Sequence, residues 1–178
     1  MKVLLHICCG VCAAGAAEKL MSEGHELTGY YFNPNIYPVE EYNQRLKAAE
    51  IVADIMKFPL IVSPYSPEKW LENTASLSQE PEGGKRCEIC FRIRLQATYE
   101  YMRISAFDAF TTTLTIGPQK SAAAVNRIGR EIGGDKFLIK DLKKQGGFQR
   151  ANQLAKQLSI YRQNYCGCKY SIRNPDFD

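Results

Sequence analysis

The chain has 178 residues, a length that suits one domain, and its 45% hydrophobic share is enough to build a core. With 24% charged residues and no low-complexity tract it does not read as disordered, and no apolar run nears the about 18 residues that cross a bilayer. The net charge of +4 is compatible with a polyanionic partner and by itself establishes none.

The N-terminal MKVLLHICCGVC carries one Lys, a short apolar run and no clear cleavage site, so it does not read as a signal peptide and the expected compartment is the cytoplasm. Residues 2–7, KVLLHI, read as a short, buried strand. A helix is expected over 13–22, ended by Gly24, and HELTGYYF (25–32) reads as a second strand. This β-loop-α-β order within about 30 residues is the signature of a parallel α/β sheet. NPNIYP (33–38) is a loop, and the next stretch has helical spacing at Leu46, Ala49, Val52, Ala53 and Met56.

FPLIVSPY reads as a third strand, and 66–84 as irregular after a short helix near Trp70. A long helix is expected over 87–107, a β-branched strand over 108–117, a helix in SAAAVNRIGREIGG and a last helix over 148–161. The alternation implies an α/β fold of Rossmann-like type: an open, mostly parallel sheet flanked by helices, as a single domain over 1–178. Ligands of such sheets bind beyond the carboxyl ends of the strands, where phosphates often sit. Here Cys8, Cys9 and Cys12 occupy that place, and Gly10 is the one glycine among them.

Seven cysteines in a chain of cytosolic type point to metal binding or redox chemistry rather than structural disulfides. Cys8, Cys9 and Cys12 can face one metal centre, and a helix start near Cys12 would favour thiolate. Cys87 and Cys90 form C-x-x-C at a helix start beside Lys85, Arg86 and Arg92, a pattern that zinc sites and redox centres also use. Cys166 and Cys168, around Gly167, can close a small strained disulfide, ligate a metal or form a surface hairpin. Four thiolates suit zinc or a [4Fe–4S] cluster alike. The two histidines, His6 in a strand and His25 in a turn, read as structural.

With these groups located, LLHICCGVC, YYFNPNIYPVEEYNQR, GGKRCEICFRIRL, TTTLTIGPQKS and YRQNYCGC, in that order, resemble the QueH-type, cobalamin-independent epoxyqueuosine reductases over nearly the whole chain. Val11 and Gly117 stand where that pattern more usually has proline and serine. The resemblance implies an oxidoreductase that reduces epoxyqueuosine to queuosine at the wobble position of tRNA, the last step of queuosine biosynthesis. It implies a [4Fe–4S] cluster on Cys8, Cys9, Cys87 and Cys90, and a redox-active Cys166/Cys168 disulfide pair. Cys12 is then a further thiol at the cluster or the ligand of an additional iron. The partners are tRNA carrying epoxyqueuosine and an electron donor that the sequence does not name. No membrane contact is implied.

Tyr30, Tyr31, Tyr165 and Lys120 are the proton-donor candidates, and Lys120, Tyr31 and Arg162 the candidate substrate contacts. Arg45, Lys85, Arg86, Lys143, Lys144, Arg162 and Lys169 are candidates for RNA contact. Two other readings compete: a zinc-dependent RNA-binding module without catalysis, and a nucleotide-dependent enzyme of tRNA-thiolation type.

Overall fold

The computed structural model describes residues 1–172; the last six residues of the expected 1–178 domain lie outside the described residues. Four strands form one parallel sheet: β1 (Lys2–His6), β2 (Glu26–Tyr31), β3 (Leu60–Val62) and β4 (Ala109–Thr112), in the order β3-β2-β1-β4. The register places His6 beside both Tyr30 and Thr112. β1 is central, and Val3, Leu4 and Leu5 are fully buried. A parallel strand covered on both faces must be apolar throughout, which is why KVLLHI is a continuous run rather than an alternating one.

The helices are α1 (Gly10–Ser22), α2 (Val39–Met56), α3 (Glu68–Thr74), α4 (Lys85–Arg103), α5 (Ala122–Gly133) and α6 (Gly147–Gln157). α1 packs between α2 and α6, while α4 packs on α5 and against β1 and β4. Right-handed crossovers place these two helix layers on opposite faces of the sheet. α1 can lie so close to its neighbours because it is made of small residues: Ala13, Ala14, Ala16 and Ala17 are fully buried. At Gly10 a Cβ would stand 2.7 Å from the Ala48 carbonyl oxygen, so only glycine allows the start of α1 to meet α2.

The chain leaves β1 for β2 and β3 on one side and returns to β4 on the other. The crevice beyond the carboxyl ends of β1 and β4 is therefore the topological switch point, where such sheets bind ligands. Two elements differ from expectation there. α1 begins at Gly10, three residues early, which puts Cys12 inside its first turn. β4 ends at Thr112, and Thr113–Ile116 turn into a 3-10 helix whose Thr112 hydroxyl accepts the Leu114 N–H. β-branched TTTLT favours a strand, but a threonine hydroxyl can also cap a turn, and here it does.

Candidate active site

Cys8 follows β1 directly, and Cys9 is the residue from which α1 starts. The Cys8 N–H donates to Thr113 Oγ1 at 3.0 Å, and the same hydroxyl donates to Cys8 Sγ at 3.2 Å, so the end of β4 clamps the loop that leaves β1. Cys8 and Cys9 Sγ are 3.8 Å apart, and the Gln163 side-chain amide donates to Cys9 Sγ at 2.9 Å. The sulfurs of Cys8, Cys9 and Cys12 all lie within 4.8 Å of one another, and all three residues are buried.

Three thiols this close share charge unequally. Hydrogen bonds from Cys12 and then Cys9 hold Cys8 well below the usual thiol range, against the cost of burial. Cys12 is raised, because it donates to Cys8 and Cys9. Cys9 is pushed up to about 11: the bond from Cys12 lowers it, but donation to Cys8 and burial outweigh that. The Cys12 backbone N–H, in the first turn of α1, also favours the Cys9 thiolate.

A cavity of about 550 Å³ opens on this group. Its wall carries Cys8, Cys12, Cys166, Lys120, Arg94 and Arg162. A second, small cavity shares Lys120 and Cys166 with it and adds Cys87. Burial lowers Lys120, but the thiols of Cys166, Cys8 and Cys12 overcome that and hold the ammonium charged. Arg94, buried on α4, donates to Asn33 Oδ1 at 2.6 Å and to His6 Nε2 at 3.4 Å, with Cys90 Sγ at 4.0 Å. His6 in turn lies 2.8 Å from Thr112 Oγ1. Burial, then the Arg94 charge, lowers His6 to about 3, so the imidazole is neutral. Arg94 was not among the residues read from the sequence; nothing in FRIRL, where Arg92 and Arg94 look alike, shows that Arg94 is the one turned inward onto Asn33, His6 and Cys90.

The remaining cysteines form a second neighbourhood. Cys90 and Cys168 are buried together against Trp70, with Cys166 at the edge. Burial raises the Cys87 and Cys90 thiols and pushes Cys168 up to about 11. Of the four thiols expected at a cluster, the fold gathers Cys8 and Cys9, together with Cys12; Cys87 and Cys90 stand on α4 outside that three-thiol group. All seven cysteines are free.

Three sequence expectations are corrected. Tyr31 is fully buried and donates to the Tyr42 carbonyl, so it belongs to the core and not to the cavity wall. Arg45 is buried by an ion pair with Glu41 at 2.6 Å. Arg86 is buried with its guanidinium on the carbonyls of Leu77, Ser78 and Glu80. Both guanidiniums are therefore engaged inside the fold, Arg45 at the border of the large cavity.

The α/β fold thus carries, at its switch point, a buried group of three thiols able to hold a metal ion, with a cavity in front of it. Residues 3–174 match the family described as Epoxyqueuosine reductase QueH, and the chain belongs to that family. It is 35% identical to the Epoxyqueuosine reductase QueH of Thermotoga maritima over 178 residues, covering 96% of this chain and 90% of that one. It is 34% identical to the one from Haemophilus influenzae, covering 97% of this chain and 72% of that one. The chain is thus an oxidoreductase of this family. Its fold is similar to that of a crystal structure titled as a predicted subunit of a tRNA methyltransferase from Methanocaldococcus jannaschii, with a TM-score of 0.59 at 16% identity over 88% of this chain and 74% of that one. Among the described residues no helix is long and apolar enough to cross a membrane.

Proposed function

We propose that this chain reduces the epoxide of epoxyqueuosine to the alkene of queuosine in tRNA, using an iron–sulfur centre and the Cys166/Cys168 pair. The observation that carries the reading is the group of three buried thiols opening on a 550 Å³ cavity whose wall also bears Cys166 and Lys120. A donor set of buried sulfur, without imidazole or carboxylate, suits a soft metal group. Four irons with one thiolate each need sulfurs spread wider than a single ion does. The ligand set that the family resemblance implies for a [4Fe–4S] cluster draws on two elements: Cys8 and Cys9 after β1, and Cys87 and Cys90 on α4. Cys12 is then the further thiol, free to hold an additional iron. When bound, the cluster supplies one-electron transfer in a dry site.

The chain's own residues account for the rest of the balance. Opening the epoxide to an alkene takes two electrons and two protons and releases water. The Cys166/Cys168 dithiol holds both equivalents and gives them up as its disulfide forms. Lys120, held charged beside Cys166 and Cys8, places a proton donor on the cavity wall. Phe148 and Tyr165 on the same wall offer faces for an unpaired base, and Arg162 a cation for its phosphate.

Anaerobically purified protein should be brown, hold iron in excess of zinc, and convert epoxyqueuosine to queuosine in tRNA given a chemical reductant, read by nucleoside mass spectrometry. Colourless, zinc-loaded and inactive protein would overturn this reading in favour of a zinc-dependent RNA-binding module.

A further inference from the structure

The turn that carries Cys166 and Cys168 has almost no regular structure of its own, yet it is held on every side. Tyr37 N–H donates to the Gly167 carbonyl at 2.8 Å, and Ile36 bridges Cys168. The strongest hold comes from a side chain far away in sequence. Arg45, on α2, donates from Nη1 to the Cys166 carbonyl and from Nη2 to the Tyr165 carbonyl, each at 3.0 Å. Its Nε donates to Glu41 Oε1 at 2.6 Å, and the Tyr161 hydroxyl donates to the other Glu41 oxygen at 2.6 Å. Gly167 has φ +97, and a Cβ there would stand 2.7 Å from Arg45 Nη1. The guanidinium therefore lies close against the C-x-C turn, where a side chain at 167 would meet it.

Held this way, the two sulfurs serve different places. Cys166 lines both cavities; Cys168 lines neither and packs with Trp70 and Cys90. Neither is in a disulfide. Bonding them to each other would turn at least one sulfur out of its place. The bonds that Arg45 gives the Cys166 and Tyr165 carbonyls, and its close packing on Gly167, belong to this open form of the turn.

The geometry points to Arg45 as the positioning residue of the C-x-C pair: its guanidinium, aimed by Glu41 and Tyr161, stabilises the open dithiol turn, presents Cys166 to the cavity and keeps the pair in its reduced, electron-holding form by raising its reduction potential. The inference rests on the redox role proposed above for Cys166 and Cys168. The chemistry balances within the pair. Two thiols lose two electrons and two protons as one S–S bond forms; the epoxide takes both pairs and loses its oxygen as water; an external dithiol resets the turn. Whatever stabilises the reduced form raises the reduction potential. Removing Arg45 therefore favours the disulfide.

The test equilibrates the anaerobically purified protein in glutathione redox buffers and quenches it with a thiol-labelling reagent. Trypsin cuts after Arg162 and Lys169, so Cys166 and Cys168 are read alone on the peptide QNYCGCK. Arg45→Ala is expected to shift the dithiol–disulfide equilibrium about tenfold toward the disulfide, which is about 30 mV for a two-electron couple. Arg45→Lys, which keeps the charge beside Glu41 but cannot span two carbonyls, is expected to shift it about threefold in the same direction. It also decides the matter if Arg45→Ala fails to fold. An equilibrium within twofold of the parent in folded Arg45→Lys and Arg45→Ala protein would overturn the inference. A parent protein whose peptide stays a dithiol in every buffer would instead overturn the redox role on which the inference rests.

Discussion

The loop with Cys8, Cys9 and Cys12 and the turn with Cys166 and Cys168 face one cavity but are built by opposite means. The first is the junction of a central strand and a buried helix, clamped by Thr113, the residue that follows the neighbouring strand β4. Its thiols cannot move without disturbing the sheet. The second is irregular and is held by side-chain bonds from α2, 121 residues away along the chain. It can rearrange at the cost of a few hydrogen bonds. A rigid, buried group of sulfurs suits a permanently held metal centre, which needs its ligands in place beforehand. A turn held by replaceable bonds suits a couple that must open and close. The difference separates a holding function from a cycling one.

The sharpest way to break this comparison is to remove one thiol from each region and count metal. Cys8→Ala is expected to abolish iron retention and lower turnover by more than about 100-fold, since even residues that only support metal ligands cost 10–100-fold when lost. Cys168→Ala is expected to keep the iron content of the parent while losing turnover to a similar degree. Iron per chain, measured beside single-turnover reduction, checks both. If Cys168→Ala loses iron as completely as Cys8→Ala, the two regions are one ligand set and the division fails. The next largest effect is on stability. Arg45→Ala leaves Glu41 as a buried carboxylate without its cation, which costs about 3–5 kcal/mol by urea unfolding. Glu41→Gln, which removes the charge and keeps an acceptor, should cost less.

The sheet and its helices were legible because each strand is short, apolar and followed by a helical pattern. The place of Cys8 and Cys9 was legible because the residues after β1 must emerge at the ligand edge of a parallel sheet. The side-chain environment was not. Arg45, Arg86 and Arg94 look alike in the sequence as charges, yet all three are buried, on backbone carbonyls, Glu41, Asn33 and His6. Their partners lie from 4 to 121 residues away, and no local pattern announces a carbonyl acceptor. Tyr31 failed as a substrate contact for a related reason. Alternation along β2 does not say which face is covered when helices cover both. Cys12 was legible as a member of the group with Cys8 and Cys9; what the sequence did not show is that α1 begins at Gly10, so that Cys12 meets them from inside the first turn of the helix.

A smaller change sharpens the holding region. Thr113→Val removes the hydroxyl that accepts the Cys8 N–H and donates to Cys8 Sγ while leaving the volume nearly unchanged. An unpaired buried N–H costs about 1–3 kcal/mol, so a loss of that size is expected by urea unfolding. Iron retention against a chelator should fall about 10–100-fold, because a supporting hydrogen bond to a ligand sulfur is lost. The dithiol–disulfide equilibrium of Cys166 and Cys168 should not move. A shift there equal to that of Arg45→Lys would show that the two regions are coupled.

The smallest expected effect lies at the outer end of the cycling region. Burial, then donation to Glu41, pushes the Tyr161 phenol up to about 12. A phenol unperturbed in the unfolded chain titrates near pH 10. Because the folded value is the higher one, the stability that Tyr161 contributes is fully present below about pH 10 and is lost as the pH rises toward 12. Tyr161→Phe removes one hydrogen bond and should cost about 1 kcal/mol at pH 8. The parent and Tyr161→Phe curves should converge between pH 10 and 12, since the variant has no phenol to lose. Curves that stay parallel through that range would show that Glu41 finds another donor, and that Tyr161 does not help aim Arg45 at the turn.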